Sequence, residues 1–443
     1  MKKHTIPGCL AMLVLNAALA GAHQVGPHAF AEVSLAQSEP VVAERSPDKP
    51  KDAPLYVSDF GRVGTADDTA VVQKALNAAP GRILNFAAAT YTVGPLSVRS
   101  NSHIVLDPKV ILKAKTGYGM NERLLQIVGV SNVTIDANHA HIKMLKNEYT
   151  KGEQRHGVVI LTANNVTIND LHSADSGGDG FYIGSEDNVV PSTNITLNNC
   201  QADNNRRQGL SIVSVKNLWV NGGQYSNTAG TAPEFGIDLE PNSSSDWLEN
   251  VNLKGVSTRG NAKGGIQLAL ASYGATMSKA ISVNIIDWHS FGDGRNGALR
   301  FAYGPASAIT GNIKIIGAKI ENSAGRGVDF FALNENMPKI SISKLTVINP
   351  GSSMAAPGNV DLSAVSLYTG QQKTTGVTGN ISFDDCLFID TRPVAKMYSG
   401  VYLGGTYAVN NVSFHNVKIQ NAAAREYTMV GKNSNISIKN DPR

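Results

Sequence analysis

From about residue 132 the chain restarts one short phrase over and over: a polar residue, usually Asn, then apolar–polar–apolar. It opens at Asn165, Asn194, Asn217, Asn250, Ser282, Asn312, Lys339, Asn380, Asn411 and Asn435, with a mean step of 30 residues. The apolar second and fourth positions point to one face of a strand. Six positions after each start comes another apolar or small residue: Leu171, Cys200, Gly223, Val256, Trp288, Ala318, Leu345, Cys386 and Val417. One short strand per repeat cannot bury its face alone, but stacked copies bury a continuous core. A propeller blade packs four strands into about 40 residues, and leucine-rich repeats need a denser Leu pattern. The remaining solution is an all-β, single-stranded parallel β-helix, a solenoid with three strands per coil. The recurring Asn belongs at its bends, where it tolerates left-handed backbone and stacks coil upon coil. The 41-residue step from Lys339 to Asn380 hides either a weak coil or a long loop.

Composition agrees. Gly (43) and Asn (40) make up about a fifth of the 443 residues, and only 17 % are charged, which excludes a helical bundle or coiled coil. A hydrophobic share of 42 % excludes wholesale disorder. The net charge of +4 includes Lys2 and Lys3, and the +2 left without them is too weak to argue for nucleic acid.

Met1 to Ala22 has the pattern of a secretory signal. Lys2 and Lys3 precede an apolar core, Leu10 to Ala20, broken only by Asn16, and small residues follow. The run is too short for the roughly 20 residues of a membrane span. A soluble, secreted or periplasmic protein is expected, without a membrane span and monomeric. Residues 23–54 carry five prolines among charges and read as a flexible leader, and 55–443 form the β-helix domain. Cys200 and Cys386 occupy the same place in repeats many coils apart. They are expected to be buried free thiols, because a disulfide needs Cα atoms within about 7 Å. Asp67 to Gly81 reads as a short amphipathic helix with Val71, Val72, Ala75 and Leu76 on one face, ended by Pro80-Gly81. Such a helix would cap the open end of the stacked core.

Asp59-Phe-Gly-Arg-Val-Gly, Asp67-Asp-Thr, the helix, and Ile83-Leu-Asn-Phe-Ala-Ala-Ala-Thr-Tyr-Thr-Val-Gly resemble the opening of the pectate-lyase-like superfamily. Asn132-Val-Thr-Ile-Asp is similar to an early coil of those proteins. The resemblance implies a right-handed β-helix and a carbohydrate-active enzyme, and it is far more specific for fold than for reaction. The Asn-Thr-Asp, Gly-His-Gly and Arg-Ile-Lys signatures of its polygalacturonase branch do not occur, nor does the Asp-Pro-His of its alginate-epimerase branch.

A second phrase begins with Gly: Gly180-Phe-Tyr-Ile, Gly209-Leu-Ser-Ile, Gly236-Ile-Asp-Leu-Glu and Gly265-Ile-Gln-Leu, followed by Leu299-Arg-Phe and Gly327-Val-Asp-Phe. Its middle residues should point outward as one column: Tyr182, Ser211, Asp238, Gln267, Arg300 and Asp329. Glu240 faces outward two residues beyond Asp238, about 7 Å away. Arg207, Lys263, Arg295 and Arg326 precede the Gly positions and form a basic ladder that suits an acidic polymer. The first reading is therefore a polysaccharide lyase acting by β-elimination on a uronate polymer. In it Arg300 and Arg207 neutralise the carboxylate, Tyr182 is base or acid, and Asp238 and Glu240 complete the catalytic set. Ser211, Lys263, Gln267, Arg295 and Asp329 bind substrate. The alternatives are a hydrolase using Asp238 and Glu240, a C5-epimerase, and a non-catalytic β-helix that binds glycan or builds an envelope structure. Ca²⁺ is a candidate cofactor through Asp175, Asp179, Glu186 and Asp187, without a fixed ligand spacing.

Overall fold

The computed structural model describes residues 53–274, 279–303, 309–333, 337–352, 362–369, 378–405, 408–431 and 433–440. They belong to the compact unit Ser46–Arg443; the other unit, Met1–Arg45, lies outside the described residues, and so does the proposed signal segment. Most of the proposed leader also falls there.

The chain is a right-handed parallel β-helix. Three parallel sheets of fourteen, twelve and twelve strands run along it, each coil adding one strand to each sheet. The Asn phrase builds the first sheet, for example Asn164–Asn169, Ser192–Asn198, Val215–Asn221 and Leu248–Lys254. Three-residue strands such as His172–Ala174 and Gln201–Asp203 build the second. The Gly phrase builds the third: Phe181–Gly184, Leu210–Ile212, Phe235–Leu239, Gly264–Ala269, Leu299–Ala302 and Val328–Leu333. Apolar residues alternate into one core, with Val166, Ile168, Leu171, Ile183, Ile237 and Leu239 fully buried.

The repeat's Asn residues do what their type allows. Asn132, Asn165, Asn194, Asn217 and Asn250 all have φ between 52° and 59°, the left-handed region Asn tolerates. Their side chains form a ladder: the Asn165 amide donates to Asn132 at 2.9 Å, and that of Asn250 to Asn217 at 3.0 Å. The Gly column has a different cause. A Cβ on Gly209 would meet the Gly236 carbonyl at 2.4 Å, and one on Gly236 the Gly265 carbonyl at 3.0 Å. At these two positions the neighbouring coil leaves no room for a side chain.

The helix Thr69–Ala78 buries Val72, Ala75 and Leu76 on the first coils, with Val71 packed at the edge, and Gly81 follows with φ 74°. Lys339 to Asn380 is one coil with long connections, because Ile340 pairs directly with Ile381. Cys200 and Cys386 are buried and free.

Candidate active site

Strand register aligns the outward column of the third sheet. Tyr182 pairs with Ser211, Ser211 with Asp238, Asp238 with Gln267, Gln267 with Arg300 and Arg300 with Asp329. Successive members are therefore about 4.8 Å apart. The column differs from the sequence reading in one respect: its centre is not in water. Ser211, Asp238, Gln267 and Asp329 are buried on the outer face as thoroughly as the core residues are on the inner one. Their cover comes from the connectors that enter the third sheet, which carry Asp179, Arg207 and Gln208.

Arg207 is the hub. Its Nη2 donates to Glu240 Oε2 at 2.6 Å, its Nη1 lies 3.4 Å from Asp179 Oδ2, and its Nε lies 3.5 Å from Glu153 Oε2. One guanidinium thus meets carboxylates from the coils on either side of its own and from the segment before the strand Val158–Leu161. Burial pulls its basicity down, but the charges of Asp179 and Glu240 push it above its ordinary value, so it stays a cation.

Behind it lie two carboxyls out of contact with water. Asp179 accepts from the Ser211 hydroxyl at 2.9 Å, and its Oδ1 has no hydrogen-bond partner. Burial pushes Asp179 up to about 7, against the pull of Arg207 and Ser211. Asp238 accepts from the Gln208 amide at 2.6 Å and from Gln267 at 3.3 Å. Gln208 is oriented for this, because its own carbonyl accepts from the Phe235 backbone N–H at 2.8 Å. Burial, then the charge of Glu240, raises Asp238 well above the carboxylate range. Both carboxyls are built to hold protons near neutral pH.

His156 completes the floor. Its Nδ1 accepts from the Asp179 backbone N–H at 2.9 Å, and its Nε2 lies 3.1 Å from Gln154 Oε1. The lone pair on Nδ1 is therefore occupied, and the proton sits on Nε2. Burial, then the nearby guanidinium groups of Arg123 and Arg207, lowers its basicity far below the usual value. The 3.4 Å approach of Nδ1 to Asp179 Oδ2 is thus contact with a neutral ring rather than an ion pair. Tyr182 stacks on this ring with centroids 4.8 Å apart, and its hydroxyl accepts from Asn242 at 3.4 Å. Burial raises Tyr182 above its ordinary value, which favours the proton-donor role over that of base.

Two carboxylates of the cluster reach solvent: Glu240, with 29 % of its side chain exposed, and Glu153, with 52 %. Sharing one guanidinium edge, their nearest oxygens lie within roughly 8 Å of each other.

The other expected residues lie further along. Arg300 and Arg326 share Asp329, at 3.8 and 2.6 Å, and Arg300 also lies 4.8 Å over the Phe331 ring. Burial lowers Arg300, and Asp329 opposes it. Lys263 faces Glu234 at 3.8 Å, and Arg295 is exposed on its connector. The basic ladder exists, but most of its charge is matched within the protein. The proposed Ca²⁺ residues do not converge, because each is engaged elsewhere or faces water. Asp175 accepts from Asn204, Asp187 from Ser185 and two backbone N–H groups, Asp179 sits under Arg207, and Glu186 is exposed. Glu153, His156 and Gln208 were absent from the sequence reading, and Asp179 entered it only as a cation ligand.

The fold defines a class, the right-handed parallel β-helices. The comparisons agree on the fold. No protein-family model matches the chain. An uncharacterized protein of Bacillus subtilis, YclG, is 25 % identical over 296 residues, 58 % of this chain and 48 % of the relative. The chain thus spans about half the length of that curated relative. Among solved structures, the bacteriophage Phi29 gene product 12 N-terminal fragment is similar at TM-score 0.59 and 17 % identity, over 86 % of this chain and 65 % of that one. The mannuronan C-5 epimerase AlgE4 A-module of Azotobacter vinelandii gives 0.54 and 15 %, over 87 % and 99 %. A Thermotoga maritima exopolygalacturonase gives 0.53 and 12 %, over 85 % and 93 %.

Proposed function

We propose that the protein is a carbohydrate-active enzyme that cleaves a polysaccharide laid across the outer face of the third sheet. The observation that carries this reading is the carboxyl cluster around Arg207. Two buried carboxyls, Asp179 and Asp238, are tuned to keep protons, and two others, Glu153 and Glu240, reach the surface on the same guanidinium. Among structural neighbours, a mannuronan epimerase and exopolygalacturonases use the same scaffold.

Within that class the geometry favours hydrolysis over elimination. Elimination needs a cation free to neutralise a uronate, and Arg207 is already matched by carboxylates. Hydrolysis needs two carboxyl groups no more than about 9.5 Å apart, and Glu153 and Glu240, held on one guanidinium, do not exceed that limit. Asp238 lies too deep to meet a sugar directly, so we assign it, with Asp179, the task of holding Arg207 and Glu240 in place. Elimination is the second reading, favoured by Tyr182, whose protonated hydroxyl beside Arg207 would serve a leaving oxygen. Exposed Arg295 and half-exposed Lys263 along the same edge support an acidic polymer as substrate, and the signal-like start supports export.

The test is product chemistry on a panel of acidic and neutral polysaccharides. Hydrolysis produces reducing ends without ultraviolet absorbance. An unsaturated, absorbing product would transfer the assignment to elimination, and no cleavage of any polymer would favour the glycan-binding reading.

A further inference from the structure

Beyond the carboxyl cluster the outer face of the third sheet changes character. Leu239 pairs with Leu268, so Glu240, the residue after it, heads an outward column that continues as Ala269, Ala302, Phe331 and Tyr368 on the following coils. The two alanines are small and half-buried, which leaves a trough along the solenoid axis. Its far end is aromatic. Phe331 is 43 % exposed, and Tyr368 and Tyr402 are half-buried. A Cβ on Gly404, the register partner of Tyr368, would lie 2.8 Å from the Tyr402 hydroxyl, so the Tyr402 ring leans over that position and adjoins Tyr368. The strand is also bent here. Its register slips between Phe331 and Leu333, and Ala332 takes φ 59°, a conformation alanine adopts only against strain. Aromatic rings grouped at the end of a trough are a surface for ligand contact.

The neighbouring column of the same face runs Arg300, Asp329, Ser366 and Tyr402. Two of its polar atoms, Arg300 Nε and Ser366 Oγ, are buried without a hydrogen-bond partner, which is costly and needs a reason. Arg300 lies over the Phe331 ring at 4.8 Å and approaches Asp329 only to 3.8 Å. That carboxylate accepts from Arg326 Nη1 at 2.6 Å instead.

We propose that Phe331, Tyr368 and Tyr402 form the platform of a distal glycan subsite, in which Arg300 takes the carboxylate of a uronate sugar. The inference deepens the reading of the protein as polysaccharide-cleaving and rests on it. An aromatic face offers apolar area and a negative π-surface to the C–H groups of a sugar ring. A guanidinium fork matches a carboxylate with two parallel hydrogen bonds, and stacking on Phe331 holds that fork before the sugar arrives. Phe331 stands three coil steps from Glu240, roughly 14 Å, a span that a few linked sugars bridge. Arg300 stands two steps from Asp238, roughly 10 Å, so it holds the chain without touching the bond broken beside Glu240. Loss of such a contact removes binding common to ground and transition states, which raises KM and spares kcat.

The experiment is calorimetric titration of the full chain carrying Glu240→Gln, which keeps the polymer intact, with polygalacturonate, alginate and hyaluronan, and with the methyl ester of each polymer that binds. The proposal expects saturable binding of at least one uronate polymer and weaker binding of its ester. Phe331→Ala should weaken binding by about tenfold or more. Arg300→Ala should erase the preference for the free acid. Trp219→Ala, which removes an exposed aromatic from the first sheet, should change neither. Absence of binding to every uronate polymer overturns the proposal. So does a folded Phe331→Ala or Arg300→Ala protein, verified by circular dichroism, that binds and discriminates like its parent. The enzyme reading is judged separately, by cleavage with the unaltered protein. Binding that depends on Phe331 and Arg300 without any cleavage keeps the subsite and removes the enzyme; cleavage with a KM that neither variant changes does the reverse.

Discussion

Burying Asp179 beside Arg207 gives the protein a pH dependence opposite to that of an ordinary ion-paired carboxylate. Its value rises from 3.8 in the unfolded chain to about 7 in the fold. Between those limits the folded state holds a proton that the unfolded state has released, so stability falls as pH rises. This contribution is complete below about pH 4 and lost by the time pH has passed 7. Asp179→Asn, which never releases a proton, should flatten the decline. Melting temperatures of both proteins from pH 4 to 8 would show it, and parallel curves would contradict the assignment. Little of this chemistry is legible in the sequence. Inside a strand, alternation tells which way a side chain points, and Tyr182, Ser211, Asp238, Gln267, Arg300 and Asp329 fall in one column as that rule requires. Asp179, Arg207 and Gln208 sit in connectors, where no period fixes direction. Gly177-Gly-Asp-Gly reads there as turn chemistry, and His156 lies in an irregular segment with no repeat to compare.

At the scale of the element, the third-sheet strands are packed on both faces, so their tolerance for added atoms is low. Gly209→Ala would place its Cβ 2.4 Å from the Gly236 carbonyl and 3.0 Å from the Tyr225 Cβ. Neither backbone nor a fully buried ring can withdraw cheaply, and the cost should be about 1–3 kcal/mol. A lower urea midpoint would report it; an unchanged midpoint would mean the coils are further apart than described. The Gly phrase was visible as a repeat, but its cause, contact between neighbouring coils, shows only when the strands are paired. The Asn phrase was legible to its mechanism, because left-handed tolerance and amide stacking are properties of the residue itself. Burial of the column was not legible, since alternation separates inner from outer but cannot tell whether a connector lies over the outer face.

At the scale of the whole solenoid, the repeat places Cys200 and Cys386 at equivalent positions in distant coils, and both thiols are buried. Burial pushes each up to about 12. Both should resist alkylation at pH 8 in the folded protein and react once it is unfolded, with no bridge between them by mass spectrometry. A bridge would refute the coil register itself. The same register brings Glu240, Arg207 and Asp179 from three successive coils to one point, and on that convergence the functional account rests. Its most direct test is the rate of polysaccharide cleavage by Glu240→Gln, compared with the parent at equal folded concentration. Loss of a proton-transfer group of this kind should lower the rate by about 10²–10⁴ while the melting curve stays cooperative. A folded Glu240→Gln protein that cleaves at the parental rate would place the chemistry elsewhere on the helix.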